Sequence, residues 1–329
     1  MLKLEYKKIS DDTKKIMKEA VDSSQDFYVD AVESIQDIHP SVRTHILNSA
    51  NSCLFTVAEA LPEPILTVDM GGWNGFKKSC DLLGKKYLEI PTDKGMINLE
   101  VLDDYIERYD IKSMYITSLI AYTAIHPVDE IYELCNLHDV VLILDISGSV
   151  GCNEVNNYCD VQVASTGSPK IVNCENGGFI NNLTEKITLD NHLLKSFKAD
   201  NITCAAIENE IRKSPEILKK TMKTNTYLKK NLSKKLVDDK THRVVYENSP
   251  GINTIITTES KKKAKELAYK IKQELEIPDN KSIITTGSNY NRLKIPSINI
   301  EVKNIDVDYL TEENMDKLVE IIVEKIYDD

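Results

Sequence analysis

An apolar run, Val140-Val141-Leu142-Ile143-Leu144, ends in an acid, Asp145, and fifteen residues later a second run, Asp160-Val161-Gln162-Val163-Ala164, leads into Ser165-Thr166-Gly167-Ser168-Pro169-Lys170. An acid that directly follows four or five apolar strand residues reads as buried and paired. It also stands at the carboxyl end of its strand, where open α/β sheets bind their ligands. The lysine comes from a turn close to the same crevice, and Asn176-Gly177-Gly178-Phe179-Ile180 follows it. Pyridoxal phosphate (PLP) needs this pairing: an amine that forms a Schiff base, and a carboxylate that keeps the pyridine nitrogen protonated so that the ring accepts the electrons of a carbanion. Lys170 is therefore the candidate Schiff-base lysine and proton shuttle, and Asp145 the candidate partner of the ring nitrogen. Ser147, two residues beyond Asp145, is a further candidate cofactor contact.

Other reactive residue types form no comparable pattern. His39, His45, His126, His138, His192 and His242 are dispersed without metal-ligand spacing, so no metal is expected. The seven cysteines include no C-x-x-C pair and read as reduced thiols. Cys174, four residues past Lys170, raises a sulfur-transfer role, which requires a mobile thiolate of low pKa. No G-x-G-x-x-G or G-x-x-x-x-G-K-[ST] segment supports a nicotinamide or nucleoside triphosphate reading.

The elements that carry these residues alternate. After a capped amphipathic helical arm over residues 1–44, with a break near Ser23-Ser24, strands at Ile65–Val68, Lys86–Ile90, Ser113–Thr117, Val140–Leu144 and Asp160–Ala164 are interleaved with helices at Ser52–Leu61, Lys77–Leu83, Leu99–Arg108 and Val128–Leu137. Strands that are apolar throughout predict an α/β fold with a mostly parallel sheet covered by helices on both faces, a large domain over residues 45–200. Residues 201–329 predict a connector helix from about Ile202 to Val237, then a smaller α+β C-terminal domain. Its expected strands are Val244–Tyr246, Asn253–Thr257, Ser282–Thr285 and Ser297–Val302, and its helices Ser260–Leu275 and Glu312–Ile326.

Composition limits the partners. With Lys+Arg 41 against Asp+Glu 52, the net charge of -11 repels nucleic acid and anionic lipid. No apolar stretch approaches the roughly 20 residues that span a bilayer, and Met1–Lys8 lacks the apolar core of a signal peptide. A cytoplasmic protein, with neither nucleic acid nor membrane as partner, is the expectation.

The succession Asp145, Thr166-Gly167-Ser168-Pro169-Lys170 and Gly177-Gly178-Phe179 resembles that of the class V aminotransferases, PLP enzymes of fold type I. Within them it is most similar to the alanine–glyoxylate and serine–pyruvate branch, and it also resembles the cysteine desulfurases. The resemblance implies that Asn48-Ser49-Ala50-Asn51-Ser52 is the phosphate loop, with Ser49, Ala50 and Asn51 holding the phosphate at a helix amino terminus. Gly71-Gly72-Trp73-Asn74-Gly75 resembles the family turn whose indole stacks on the pyridine ring. Ser168 is implied as a phosphate donor, and Thr203 as a residue that reaches across the interface of a homodimer.

The chain departs from the family where the reaction is chosen. Ser118-Leu119-Ile120-Ala121-Tyr122-Thr123-Ala124-Ile125-His126-Pro127 replaces a stretch that usually supplies a histidine, Pro169 stands where the family has glutamine, and Asn51 where it has threonine or histidine. Transamination between a small amino acid and a keto acid leads. Lyase, desulfurase or sulfur-transfer chemistry, and a non-catalytic or partner-regulating role, stay open. A substrate carboxylate is best paired by a guanidinium fork. Of the five arginines, Arg292 stands where the resemblance implies the substrate residue, and Arg43, near the phosphate loop, is the second candidate.

Overall fold

The computed structural model describes residues 1–287 and 293–328, and divides into two compact units. The larger comprises Ile9–Ser118 and His126–Glu216, and the smaller Met1–Lys8, Leu119–Ile125 and Ile217–Asp329. These units cut across the segments read from sequence. The helices α1 (Asp11–Asp22) and α2 (Phe27–Ile38) both pack on α7 (Asn201–Ile211) within the larger unit. For α1 a buried acid makes the join: Glu210 of α7 accepts hydrogen bonds from Ser10 and Thr13, and Lys213 lies 3.3 Å from it, whereas α2 shares an apolar core with α7 through Phe27, Ala31 and Ile35.

The larger unit holds a seven-stranded sheet. In chain order its strands are β1 (Arg43–Leu47), β2 (Ile65–Val68), β3 (Tyr87–Ile90), β4 (Ser113–Thr117), β5 (Val141–Asp145), β6 (Val161–Ser165) and β7 (Gly178–Asn182). Their order across the sheet is β1-β7-β6-β5-β4-β2-β3, and only β7 runs against its neighbours. The edge strand β1 was not legible in the sequence: Arg43-Thr44-His45 offers no apolar run, with Arg43 exposed and His45 half-buried. The central strands are apolar throughout because both faces are covered. Leu142, Leu144, Met114 and Ile116 face α2, α5 (Leu99–Tyr109), α6 (Val128–Leu137) and α7, whereas Ile143, Tyr115, Val161 and Val163 face α3 (Ala50–Ala60) and α4 (Asn74–Leu83).

The smaller unit is built on an antiparallel sheet of β8 (Thr254–Thr257), β9 (Ile284–Thr286) and β10 (Ser297–Ile300), with β10 in the centre. The helices α9 (Lys261–Gln273) and α10 (Glu312–Tyr327) share a core with this sheet, with Leu228 and Leu232 of α8 (Ser214–Lys235), and with Leu236 just past the end of α8. The strand expected at Val244–Tyr246 does not form. Only Val244 bridges to Ile256, since the chain turns away at Tyr246, where φ is +51°. No helix among the described residues is long and apolar enough to cross a membrane.

Candidate active site

Register places the chemistry at the carboxyl edge of the larger unit's sheet. Asp145 pairs with Thr117 on one side and Val163 on the other, while Ser165 and Leu47 both pair with Gly178. The ends of β1, β4, β5 and β6 and the start of β7 therefore lie along one edge. Side chains alternate along a strand, so Asp145 shares the face of Ile143 and Tyr115, the face covered by α3 and α4.

Asp145 is 8% exposed and each of its oxygens is held. The backbone N–H of Ser147 donates to Oδ1 at 2.9 Å, and the Tyr115 hydroxyl donates to Oδ2 at 3.0 Å. Tyr115 is fixed in turn by stacking on Phe76, with ring centroids 4.0 Å apart and planes 10° from parallel. Sequence reading missed Tyr115, although an aromatic one turn of the pleat before the residue opposite Asp145 was the available signal. It needed the β4–β5 register to be interpreted. Ser147 also ties the lysine turn to this strand, because its Oγ accepts the Ser165 N–H at 2.9 Å.

Lys170 lies half-buried in a loop folded back on itself. Thr166 closes that loop: its carbonyl accepts from the Cys174 N–H at 2.8 Å, its Oγ1 donates to the Asn176 carbonyl at 2.7 Å, and its N–H donates to the Gly177 carbonyl at 3.2 Å. Beyond the closure, the Gly177 N–H donates to the Asn48 carbonyl at 3.2 Å, and Gly177 bridges Ser49. The loop of Lys170 and the turn Asn48–Asn51 are thus parts of one backbone assembly. Gly178 makes the approach possible, since a Cβ there would meet Ala50 N at 2.8 Å and Ala164 O at 2.7 Å.

Ser49 caps α3 by accepting the Ser52 N–H at 3.1 Å, and the Ser52 hydroxyl donates to Asn48 Oδ1 at 2.6 Å. Cys53, in the first turn of α3, is fully buried, and burial followed by the nearby Asp145 charge pushes its thiol pKa up. The helix amino terminus and the carboxylate are therefore neighbours. Trp73 lies 42% exposed, its indole N–H donating to Asn51 Oδ1 at 3.3 Å. Asn51, Trp73 and Ser168 all reach solvent at this edge.

Of the other expected residues, Arg43 lies away from this edge, whereas Thr203 stands beside Gly177, where an added Cβ would meet Thr203 Cγ2 at 2.8 Å. Arg43 begins β1, at the opposite edge of the sheet from Leu47, and lies 3.7 Å from Glu185. Thr203 is 5% exposed, and its N–H and hydroxyl both donate to Asp200, the cap of α7. Arg292 lies outside the described residues. Cys174 is 1% exposed, and burial first, then the charge of Glu210, raises its thiol well above the ordinary range, which removes the thiolate that sulfur transfer needs.

Solved structures share this architecture along almost the whole chain. A serine palmitoyltransferase of S. paucimobilis with a bound PLP–myriocin aldimine is 11% identical, with 98% of this chain and 86% of that chain covered and a TM-score of 0.73. The fold is that of the fold type I PLP enzymes. An alanine–glyoxylate aminotransferase from Nostoc is 12% identical over 99% of this chain and 95% of that chain, with a TM-score of 0.73. A NifS-like protein from Rickettsia africae is 13% identical over 100% of each chain, again with a TM-score of 0.73. One fold type I architecture thus carries differently named enzymes, so the fold leaves the reaction of this chain open. Residues 215–323 match the model of the MJ1341 family C-terminal domain. By sequence, no curated protein matches.

Proposed function

We propose that this protein is a PLP-dependent enzyme acting on a small amino acid, and that its reaction is transamination with a keto acid as acceptor. The observation that carries the reading is the doubly held carboxylate of Asp145 at the same sheet edge as the Lys170 loop and the capped start of α3. This donor set fits the cofactor. The amides and hydroxyls at Ser49–Ser52 suit a phosphate dianion, a buried carboxylate suits a protonated ring nitrogen, and a primary amine suits an aldehyde.

When bound, PLP supplies an electron sink for the pair left behind when a bond to the amino acid's α-carbon breaks. In this reading Lys170 would attach the cofactor and, when its amine is free, would carry a proton from the α-carbon to the cofactor as general base and then acid. Asp145 holds the proton at the ring nitrogen, and the Ser147 N–H and Tyr115 hydroxyl fix its two oxygens so that the carboxylate does not reorient as charge develops. Ser49, Ala50, Asn51 and Ser168 bind the phosphate, and the Trp73 indole bounds the ring. Arg292 pairs with the substrate carboxylate. The protein acts as a homodimer. Transamination is preferred to sulfur transfer because the cysteine next in the chain to the lysine loop is sealed from solvent.

The test is an absorption titration of purified protein with PLP and a panel of amino acids. A visible band that bleaches with an amino acid and returns with a keto acid supports transamination. Pyruvate, alanine or sulfide released without an acceptor overturns the transaminase reading, and failure to take up PLP overturns the cofactor.

A further inference from the structure

The helix α8 is rich in solvent-facing lysines, yet Lys229 is 0% exposed. Its Nζ donates to three backbone carbonyls, those of Thr123, Tyr246 at 3.0 Å and Ser249 at 3.0 Å. An ammonium has three protons and no lone pair, so three carbonyl oxygens saturate it. A neutral amine in the same place would turn its lone pair on one of those oxygens. The geometry therefore requires the charged form, although burial alone draws the amine down to about 7. Among the described residues no carboxylate pairs with Lys229, so backbone dipoles alone compensate the charge.

The three carbonyls do not depend on the lysine alone for their placement. Thr123 belongs to a hairpin whose strands are Leu119–Ile120 and Ala124–Ile125. The preceding carbonyl, Tyr122 O, accepts from the Ile252 N–H at 2.8 Å and the Asn253 N–H at 3.0 Å, and the Ile125 N–H donates to Ser249 Oγ at 3.2 Å. At Gly251 a Cβ would collide with Thr123 O and lie 2.8 Å from Tyr122 O, so the two backbones are already in contact. Hairpin and turn form a preorganised set of oxygens converging on one point.

We propose that the Thr123, Tyr246 and Ser249 carbonyls form a monovalent-cation site, which the Lys229 ammonium fills as a tethered cation. Backbone carbonyls grouped in this way replace the hydration shell of potassium, and ammonium and potassium are close in size. Magnesium is excluded, because it demands six short oxygen contacts in octahedral geometry and dehydrates reluctantly. The site therefore selects potassium, rubidium or ammonium once the side chain is removed. It clips the hairpin, which is the connection between β4 and α6, to the rest of the smaller unit.

The test is thermal unfolding of Lys229→Ala at constant ionic strength in chlorides of potassium, rubidium, ammonium and N-methyl-D-glucamine. The variant is expected to melt roughly 5 °C or more below wild type in N-methyl-D-glucamine and to recover at least half of that loss in the three small cations. Wild type is expected to be indifferent to the cation. Equal loss in every salt, or no loss in any, overturns the proposal. If Lys229→Ala does not fold, wild type labelled with 15N at lysine Nζ decides. A protected ammonium resonance correlated across its hydrogen bonds to backbone carbonyl carbons supports the tethered cation, and its absence overturns it.

Discussion

The Tyr115 hydroxyl donates to Asp145 Oδ2 at 3.0 Å, joining the middle of one strand to the end of its neighbour on the face covered by α3 and α4. Tyr115→Phe removes the donor and keeps the ring stacked on Phe76. A hydrogen bond to a charged group contributes about 1.5–3 kcal/mol, so a tenfold or larger fall in kcat is expected with cofactor content unchanged. A cofactor titration alongside steady-state kinetics checks both halves of that statement.

Lys170→Ala is expected to abolish the visible absorption of bound cofactor, and no other lysine should restore it. Asp145→Ala should retain some cofactor while losing most turnover, because the ring nitrogen then lacks the charge that keeps it protonated. Undiminished turnover in Asp145→Ala would show that the carboxylate has been misassigned.

Gly178→Ala tests the join between the lysine loop and the phosphate turn. The new Cβ meets backbone on two sides, at Ala50 and Ala164, and neither can move as a flexible side chain would. Overpacking of this kind costs about 1–3 kcal/mol. Chemical denaturation should register that loss, and PLP affinity should fall with it because the start of α3 is displaced.

Cys174→Ala is expected to leave turnover within about twofold of wild type, with stability lowered by roughly 1 kcal/mol for the volume removed from the core. Loss of turnover without loss of stability in this variant would reinstate a sulfur-transfer role.

Acid sensitivity follows from two buried histidines. Burial pulls His39 down to about 4 and His126 down to about 3. His39 Nε2 accepts the Gly151 N–H at 2.9 Å, which requires the ring to be unprotonated there, and neither ring nitrogen of His126 has a hydrogen-bond partner among the described residues. In the unfolded chain both titrate near 6.5. The unfolded state therefore binds more protons between about pH 6.5 and the folded values, and stability falls as pH drops through that window while staying level above it. Each histidine contributes on the order of 3 kcal/mol to that fall. Urea unfolding at pH 7 and pH 5 measures the slope, and His126→Gln should flatten it.

Much of this protein was legible in its sequence because the relevant signals are local. Apolar runs of strand length named the central strands, alternation with amphipathic helices named the α/β class, and an acid ending such a run named Asp145. The lysine loop was readable for a similar reason: small residues and glycines let backbone approach backbone closely, as Gly178 does at Ala50. Tertiary structure alone decided what depends on register and distance along the chain. Tyr115 became a partner of Asp145 only once β4 and β5 were aligned residue by residue. Arg43, five residues from the phosphate turn in sequence, proved to lie at the other edge of the sheet because a strand carries its two ends apart. Lys229 looks like any other lysine of a polar helix until residues 106, 17 and 20 positions away bring three carbonyls around it. Local composition encodes which elements form, but the environment of a side chain is set by neighbours the chain brings from far away.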